Sequence, residues 1–207
     1  MREVVLYSRK DCHLCDQVKA TLARLETHSG FTWKEVVREF GGLDILVNNA
    51  AVYEAVAWEK MTAAQWDAMF AANARGPFLM TQAATAALRR RRGRVINLGS
   101  LGGLRPWPSH AHYCASKAAL TMLTLVMARA LAPQVAVNCV APGMIETGDS
   151  KRQGSVHRAF MKKIARKTPM QRAGTPAEVA AAVFFFASAP QFITGQTLVV
   201  DGGLGLV

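Results

Sequence analysis

Ser100-Leu-Gly-Gly-Leu-Arg-Pro-Trp-Pro-Ser-His-Ala-His-Tyr113-Cys-Ala-Ser-Lys117 decides how this chain is read. The stretch is entered from Arg94–Leu98, an apolar run that reads as a strand. It leaves through His112–Leu131, which reads as a helix closed by Pro133. Between them lies a Gly/Pro-rich loop from Gly99 to Pro108. Tyr113 and Lys117 stand four residues apart and so share one helix face, one turn apart. An ammonium beside a phenol favours the phenolate, drawing a group of reference pKa near 10 toward working pH. Ser100, at a strand end, can hold a carbonyl oxygen against that phenol. Together the three form an acid/base device for carbonyl–alcohol chemistry.

Outward from this stretch, apolar strands alternate with helical patterns. Leu43–Val47 reads as a buried strand and Thr62–Leu88 as a long helix with Thr62 as its N-cap. Val135–Val140 is a strand ending at Ala141-Pro-Gly143. Lys151–Arg166 is basic and polar, a helical lid over a substrate. Pro176–Ala187 is a helix with Thr175 as cap and Pro176 at its first position, and Leu198–Val200 is the last strand. The alternation predicts an α/β fold, a three-layer Rossmann-like doubly wound parallel sheet.

Six motifs recur in one order: Asp44-Ile-Leu-Val-Asn48-Asn49-Ala50-Ala51, Asn73 in Asn-Ala-Arg-Gly-Pro-Phe, Asn97-Leu-Gly-Ser100, Tyr113-x-x-x-Lys117, Pro142-Gly143-Met-Ile145-Glu-Thr147, and Thr194-Gly195-Gln…Val200-Asp201-Gly202-Gly203. From residue 37 or so to 207 the chain resembles the short-chain dehydrogenases/reductases. The resemblance implies an NAD(P)-dependent oxidoreductase acting on a small carbonyl or alcohol substrate. In it Tyr113 is the general acid, Lys117 lowers the phenol pKa and holds the nicotinamide ribose, and Ser100 orients the substrate oxygen. Asn73 holds a water in a proton relay, or else its amide bonds to backbone. Asn48, Ala50 and Ala51 flank the adenosine half of the cofactor, with Ala51 where glycine is commoner. Pro142, Gly143, Ile145 and Thr147 touch the nicotinamide carboxamide. A homodimer or homotetramer through the Thr62–Leu88 and His112–Leu131 helices is implied as well. Two segments, Leu131–Asn138 and Gly195–Gly203, look closest to pteridine-reductase-like and ketoacyl-reductase-like members.

The first third differs. Val4–Ser8 reads as a strand and Cys12–Leu25 as an amphipathic helix with Val18, Leu22 and Leu25 on its apolar face. Ser29-Gly30 closes it. Phe31–Val37 is then a second strand, or Trp33–Phe40 is the tail of a helix preceding Leu43–Val47. The strand–Cys-x-x-Cys–helix–strand order over residues 1–36 resembles the opening of a glutaredoxin-like thioredoxin fold, as a segment rather than an independent domain. Cys12 at a helix N-terminus would be a stabilised thiolate and Cys15 its resolving partner, giving the alternative of a thiol–disulfide oxidoreductase. No room remains before Phe40 for the later strand pair and cis-proline of that fold.

Gly30 is the one glycine before Phe40, so the Gly-x-x-x-Gly-x-Gly run that receives a dinucleotide pyrophosphate is missing. The chain reads as an N-terminally truncated reductase with a substitute β-α segment, and a catalytically inert relic is a further alternative. Val4–Ser8 is expected to pair beside Leu43–Val47, aiming the Cys12 helix N-terminus where the pyrophosphate normally sits.

Composition fits a folded domain: 207 residues, 51% hydrophobic and 19% charged. The +11 charge is densest at Arg89–Arg94, either a solvated helix end or a dock for an anionic partner. Interleaved aromatic platforms are missing, and nucleic acid is not an expected partner. Four cysteines make no disulfide framework, and Cys12-His13-x-Cys15 has no second ligand pair for a metal. No apolar stretch is expected to span a membrane, Val179–Ala189 being too short, and the N-terminus does not read as a signal peptide. A cytoplasmic protein is the resulting expectation.

Overall fold

Helices cover both faces of β4 (Arg94–Leu98), which is why it is buried at every position after its first. Its side chains alternate between two cores. Val95 joins Val137, Leu88, Met127, Ala128 and Leu131 on one face, beneath α2 (Gly76–Arg91) and α3 (Ala111–Leu131). Ile96 and Leu98 join Val140, Ala182 and Phe186 on the other, beneath α5 (Pro176–Ser188). Phe186 is 3% exposed, and truncating such a side chain to alanine costs about 3–5 kcal/mol.

The computed structural model describes residues 2–8, 31–37, 42–146 and 154–207, with side chains over 42–146 and 159–207. A four-stranded parallel sheet runs β3 (Ile45–Asn48), β4, β5 (Ala136–Pro142), β6 (Thr197–Val200) in that spatial order. Asn48 lies opposite Asn97, and Asn97 opposite Cys139. The expected α/β fold with a parallel sheet is the one found.

The long helix expected over Thr62–Leu88 is present but subdivided. Thr62 caps α1 (Ala63–Phe70) through a reciprocal capping box with Gln65, a widened π turn follows at Ala71–Arg75, and α2 continues to Arg91. Thr175 and Glu178 form a second capping box at α5, with Pro176 in the first turn. The basic segment becomes α4 (Gly154–Lys167).

Two expectations are overturned. β1 (Arg2–Ser8) pairs in parallel with β2 (Phe31–Val37), Val4 opposite Trp33, in a separate two-stranded sheet. Val4–Ser8 is therefore not hydrogen-bonded beside Leu43–Val47, and Trp33–Val37 is strand, not the tail of a helix. A parallel pair needs a crossover connection, and the segment between these strands is long enough to supply one. The second concerns membrane-length apolar segments. The stretch Pro108–Leu131 is long and apolar enough to cross a membrane, contrary to the sequence reading. Within it Leu120, Met127, Ala128 and Leu131 are buried, while Met122, Leu125 and Val126 are exposed.

Candidate active site

Tyr113 and Lys117 project from the first turns of α3 toward the carboxyl end of β4, where Ser100 begins the next loop. Close approach of loop to helix depends on two small residues. A Cβ at Gly103 would lie 2.8 Å from the Lys117 carbonyl carbon, and one at Gly102 would press on the Trp107 and Tyr113 rings at 3.3 Å. Ser100 Oγ accepts from Gly102 N–H at 3.0 Å, which folds the loop back toward α3.

The trio is together, although its electrostatics differ from the expectation. Burial pushes the Tyr113 phenol above its ordinary value, while a hydrogen bond with Ser100 works in the opposite direction. The anticipated lowering by Lys117 is not what this geometry gives. Lys117 Nζ lies 6.0 Å from the Tyr113 ring centroid and donates to the Leu98 carbonyl at 2.7 Å. Lys117 is 3% exposed, and burial brings its ammonium down to about 8, opposed by Cys139.

Asn73 sits in the π turn, fully buried. Its Oδ1 accepts from Val52 N–H at 2.9 Å, and its Nδ2 donates to the Val52 carbonyl at 3.0 Å and to Ser116 Oγ at 3.1 Å. Ser116 Oγ in turn donates to the Tyr113 carbonyl at 2.8 Å. Of the two expectations for Asn73, backbone bonding describes its amide. The side chain has no free donor for a relay water, because it clamps the loop after β3 to the turn that carries Tyr113.

Asn48 is likewise internal. Its Nδ2 donates to Asn97 Oδ1 at 2.8 Å and Thr81 Oγ1 at 3.2 Å, and Asn97 Nδ2 donates to Thr124 Oγ1 at 2.9 Å. The Asn48 side-chain amide is thus engaged within the protein. Ala50 and Ala51 are exposed at the same strand end. Pro142 and Gly143 end β5, with Gly143 N–H bonded to the Val200 carbonyl, and Ile145 bridges to Gly174. Cys12, Cys15 and Thr147 lie outside the described residues.

Several residues escaped the sequence reading. Tyr53 makes an edge contact with Tyr113 and stacks on His110, each at 4.9 Å between centroids. Trp107 lies nearly parallel to Tyr113 at 6.3 Å and edge-on to His110 at 5.7 Å. Trp107 and His110 stand inside the opening stretch, so their nearness to Tyr113 could have been anticipated. Tyr53 carries no such signal, because sixty residues separate it from its partner.

The nicotinamide half of a dinucleotide can be tested against this geometry. Among the described residues the buried Lys117 ammonium has one hydrogen-bond acceptor, Leu98, for its three donors. An under-satisfied buried cation beside the phenol fits a ligand that offers hydroxyl oxygens.

Comparison with known proteins agrees with this arrangement. A family model described as enoyl-(acyl carrier protein) reductase matches residues 26–205. The chain belongs to the short-chain dehydrogenase/reductase family. Within this oxidoreductase family it is 39% identical over 170 residues to nodulation protein G of a Rhizobium strain, covering 80% of this chain and 68% of that one. It is 37% identical to the 3-oxoacyl-[acyl-carrier-protein] reductase FabG of Vibrio cholerae, over 84% of this chain and 71% of the relative. A gluconate 5-dehydrogenase from Burkholderia cenocepacia, solved with NADP and tartrate, superposes with a TM-score of 0.76 at 29% identity, covering 98% of this chain and 85% of its own. That overlay extends into the N-terminal strand pair. A glutaredoxin-like domain model matches residues 3–39 and overlaps the reductase match.

Proposed function

We propose that this short-chain reductase interconverts a carbonyl and an alcohol, with Tyr113 as its general acid/base. The observation that carries the reading is Tyr113 held between Ser100 and the buried Lys117. Ser100 would orient the carbonyl oxygen toward the phenol, and Tyr113 would deliver its proton to that oxygen. Lys117, charged at neutral pH, would stabilise the phenolate left behind and hold ribose hydroxyls. An NAD(P)(H) cofactor, when bound, supplies or accepts the hydride at the carbonyl carbon. Pro142, Gly143, Ile145 and Thr147 are the residues proposed to meet its carboxamide, and Ala50 and Ala51 its adenosine side. The high phenol pKa suits a proton donor, since the group stays protonated until substrate arrives.

Exposed Phe78, Met122, Leu125 and Val126 on α2 and α3 support a homodimer or homotetramer through these helices.

The second reading, an inert relic, is favoured by the missing glycine-rich run before Phe40. Titration of NADH and NADPH, followed by energy transfer from the tryptophans, separates the two. Saturable binding of either nucleotide supports the reductase, and no saturation at millimolar concentration removes it. The segment matched by the glutaredoxin-like model makes thiol–disulfide exchange through Cys12 and Cys15 a third reading. Reduction of a glutathione mixed disulfide, lost in Cys12→Ser, is its test, and an inactive parent chain ends it.

A further inference from the structure

Four rings close on one another around the catalytic phenol. Tyr53, His110, Trp107 and Tyr113 each meet the next at 4.9, 5.7, 6.3 and again 4.9 Å. Such contacts reflect ring quadrupoles as well as area, and they prefer the edge and offset arrangements found here.

The enclosure is held from outside itself. Asn73 grips both backbone groups of Val52, next to Tyr53. Val56 N–H bonds to the Ser109 carbonyl at 2.8 Å and ties the Tyr53 loop to the His110 loop. Tyr53 is nevertheless 61% exposed. An aromatic ring fixed by its backbone and left open to water is preorganised contact surface. Burial, with His112 nearby, keeps the His110 imidazole below its usual pKa, so this ring is neutral at pH 7 and the wall adds no cation there.

We propose that the carbonyl substrate of this site is planar and ring-conjugated, an aryl ketone in chemical class, with its ring placed against Tyr53 and Trp107 while its oxygen meets Tyr113 and Ser100. The assignment rests on the reductase reading for the oxygen contacts and on the aromatic wall for the ring. A saturated ring of equal size fills similar volume without the edge and face contacts. Two such contacts correspond to about a tenfold preference.

The test is calorimetric binding of 2-acetylnaphthalene and its saturated analogue, acetyldecalin, to the full chain without nucleotide. The expected result is tighter binding of the aryl ketone by about tenfold, shrinking to within threefold in Tyr53→Leu and retained in Tyr53→Phe. Equal affinity of the two ketones in the parent chain, or no measurable binding of either, overturns the proposal whatever the variants do. A second arm measures turnover with NADPH and NADH. Aryl preference in binding with no turnover of either ketone, in a chain that binds nucleotide saturably, leaves the reductase reading standing and removes the aryl ketone as its substrate. Turnover with equal kcat/KM for both ketones leaves the reductase reading standing and removes the wall.

Discussion

Around Tyr113 each neighbour is positioned by the fold, whereas before Phe40 the sequence offers one glycine where a dinucleotide cradle needs three. Asn73 clamps Val52 and Ser116, Ser116 reaches the Tyr113 carbonyl, and Gly102 and Gly103 let the Ser100 loop pack on α3. The N-terminal segment forms its own parallel strand pair and matches a different family model. The contrast teaches that the proton-transfer groups are held by packing and hydrogen bonds around α3, while the glycine pattern of a dinucleotide cradle has no counterpart in the sequence before them.

The sharpest break of that contrast is Tyr113→Phe. It should lower kcat/KM by about 10²–10⁴-fold while nucleotide affinity, read by tryptophan energy transfer, changes less than twofold. Unchanged turnover would place the proton donor elsewhere.

Lys117 comes next. Its ammonium is depressed by burial to about 8 in the folded chain, against 10.5 when exposed. Below about 8 the fold bears the cost of a buried charge, and that cost is relieved as pH rises from 8 toward 10.5, where the unfolded chain alone still holds the proton. Lys117→Met should therefore abolish turnover yet raise unfolding free energy at pH 7 by roughly 1–3 kcal/mol, allowing for the lost Leu98 bond. The gain should fade by pH 10 in urea titrations. A variant less stable than the parent at pH 7 contradicts the assignment. In the parent, turnover should decline as pH passes about 8.

Asn48→Ala takes the Asn48 donor from Asn97 Oδ1 and Thr81 Oγ1 and should cost about 1–3 kcal/mol by urea denaturation. Nucleotide affinity altered more than the stability loss explains would place Asn48 on the cofactor side. The smallest effect belongs to Thr175→Ala, which removes a helix cap and should cost about 1 kcal/mol with the Tyr113 chemistry unmoved.

Much of this was legible in the sequence because it is local. The α3 helix, the β4 strand, and the Thr62 and Thr175 caps follow from periodicity and turn chemistry within a few residues. The Ser100–Tyr113–Lys117 grouping follows from one loop and one helix turn. Two things were not legible. The Tyr113 pKa depends on burial, which spacing does not encode, and Lys117 turned out to donate to Leu98. Asn48 reads as flanking a cofactor and Asn73 as either a relay or a backbone clamp, while the bonds their amides make to Thr81, Val52 and Ser116 span 21 to 43 positions of chain. Tyr53 was missed for the same reason.

The Asn48–Asn97–Thr124 ladder locks the alignment of β4 within the sheet. A one-residue slip of β4 would turn Asn97 toward Phe186 and Ala182 and leave Asn48 and Thr124 facing hydrocarbon. Alignment of β3 with β4 is thus enforced by polar side chains as well as by the backbone ladder.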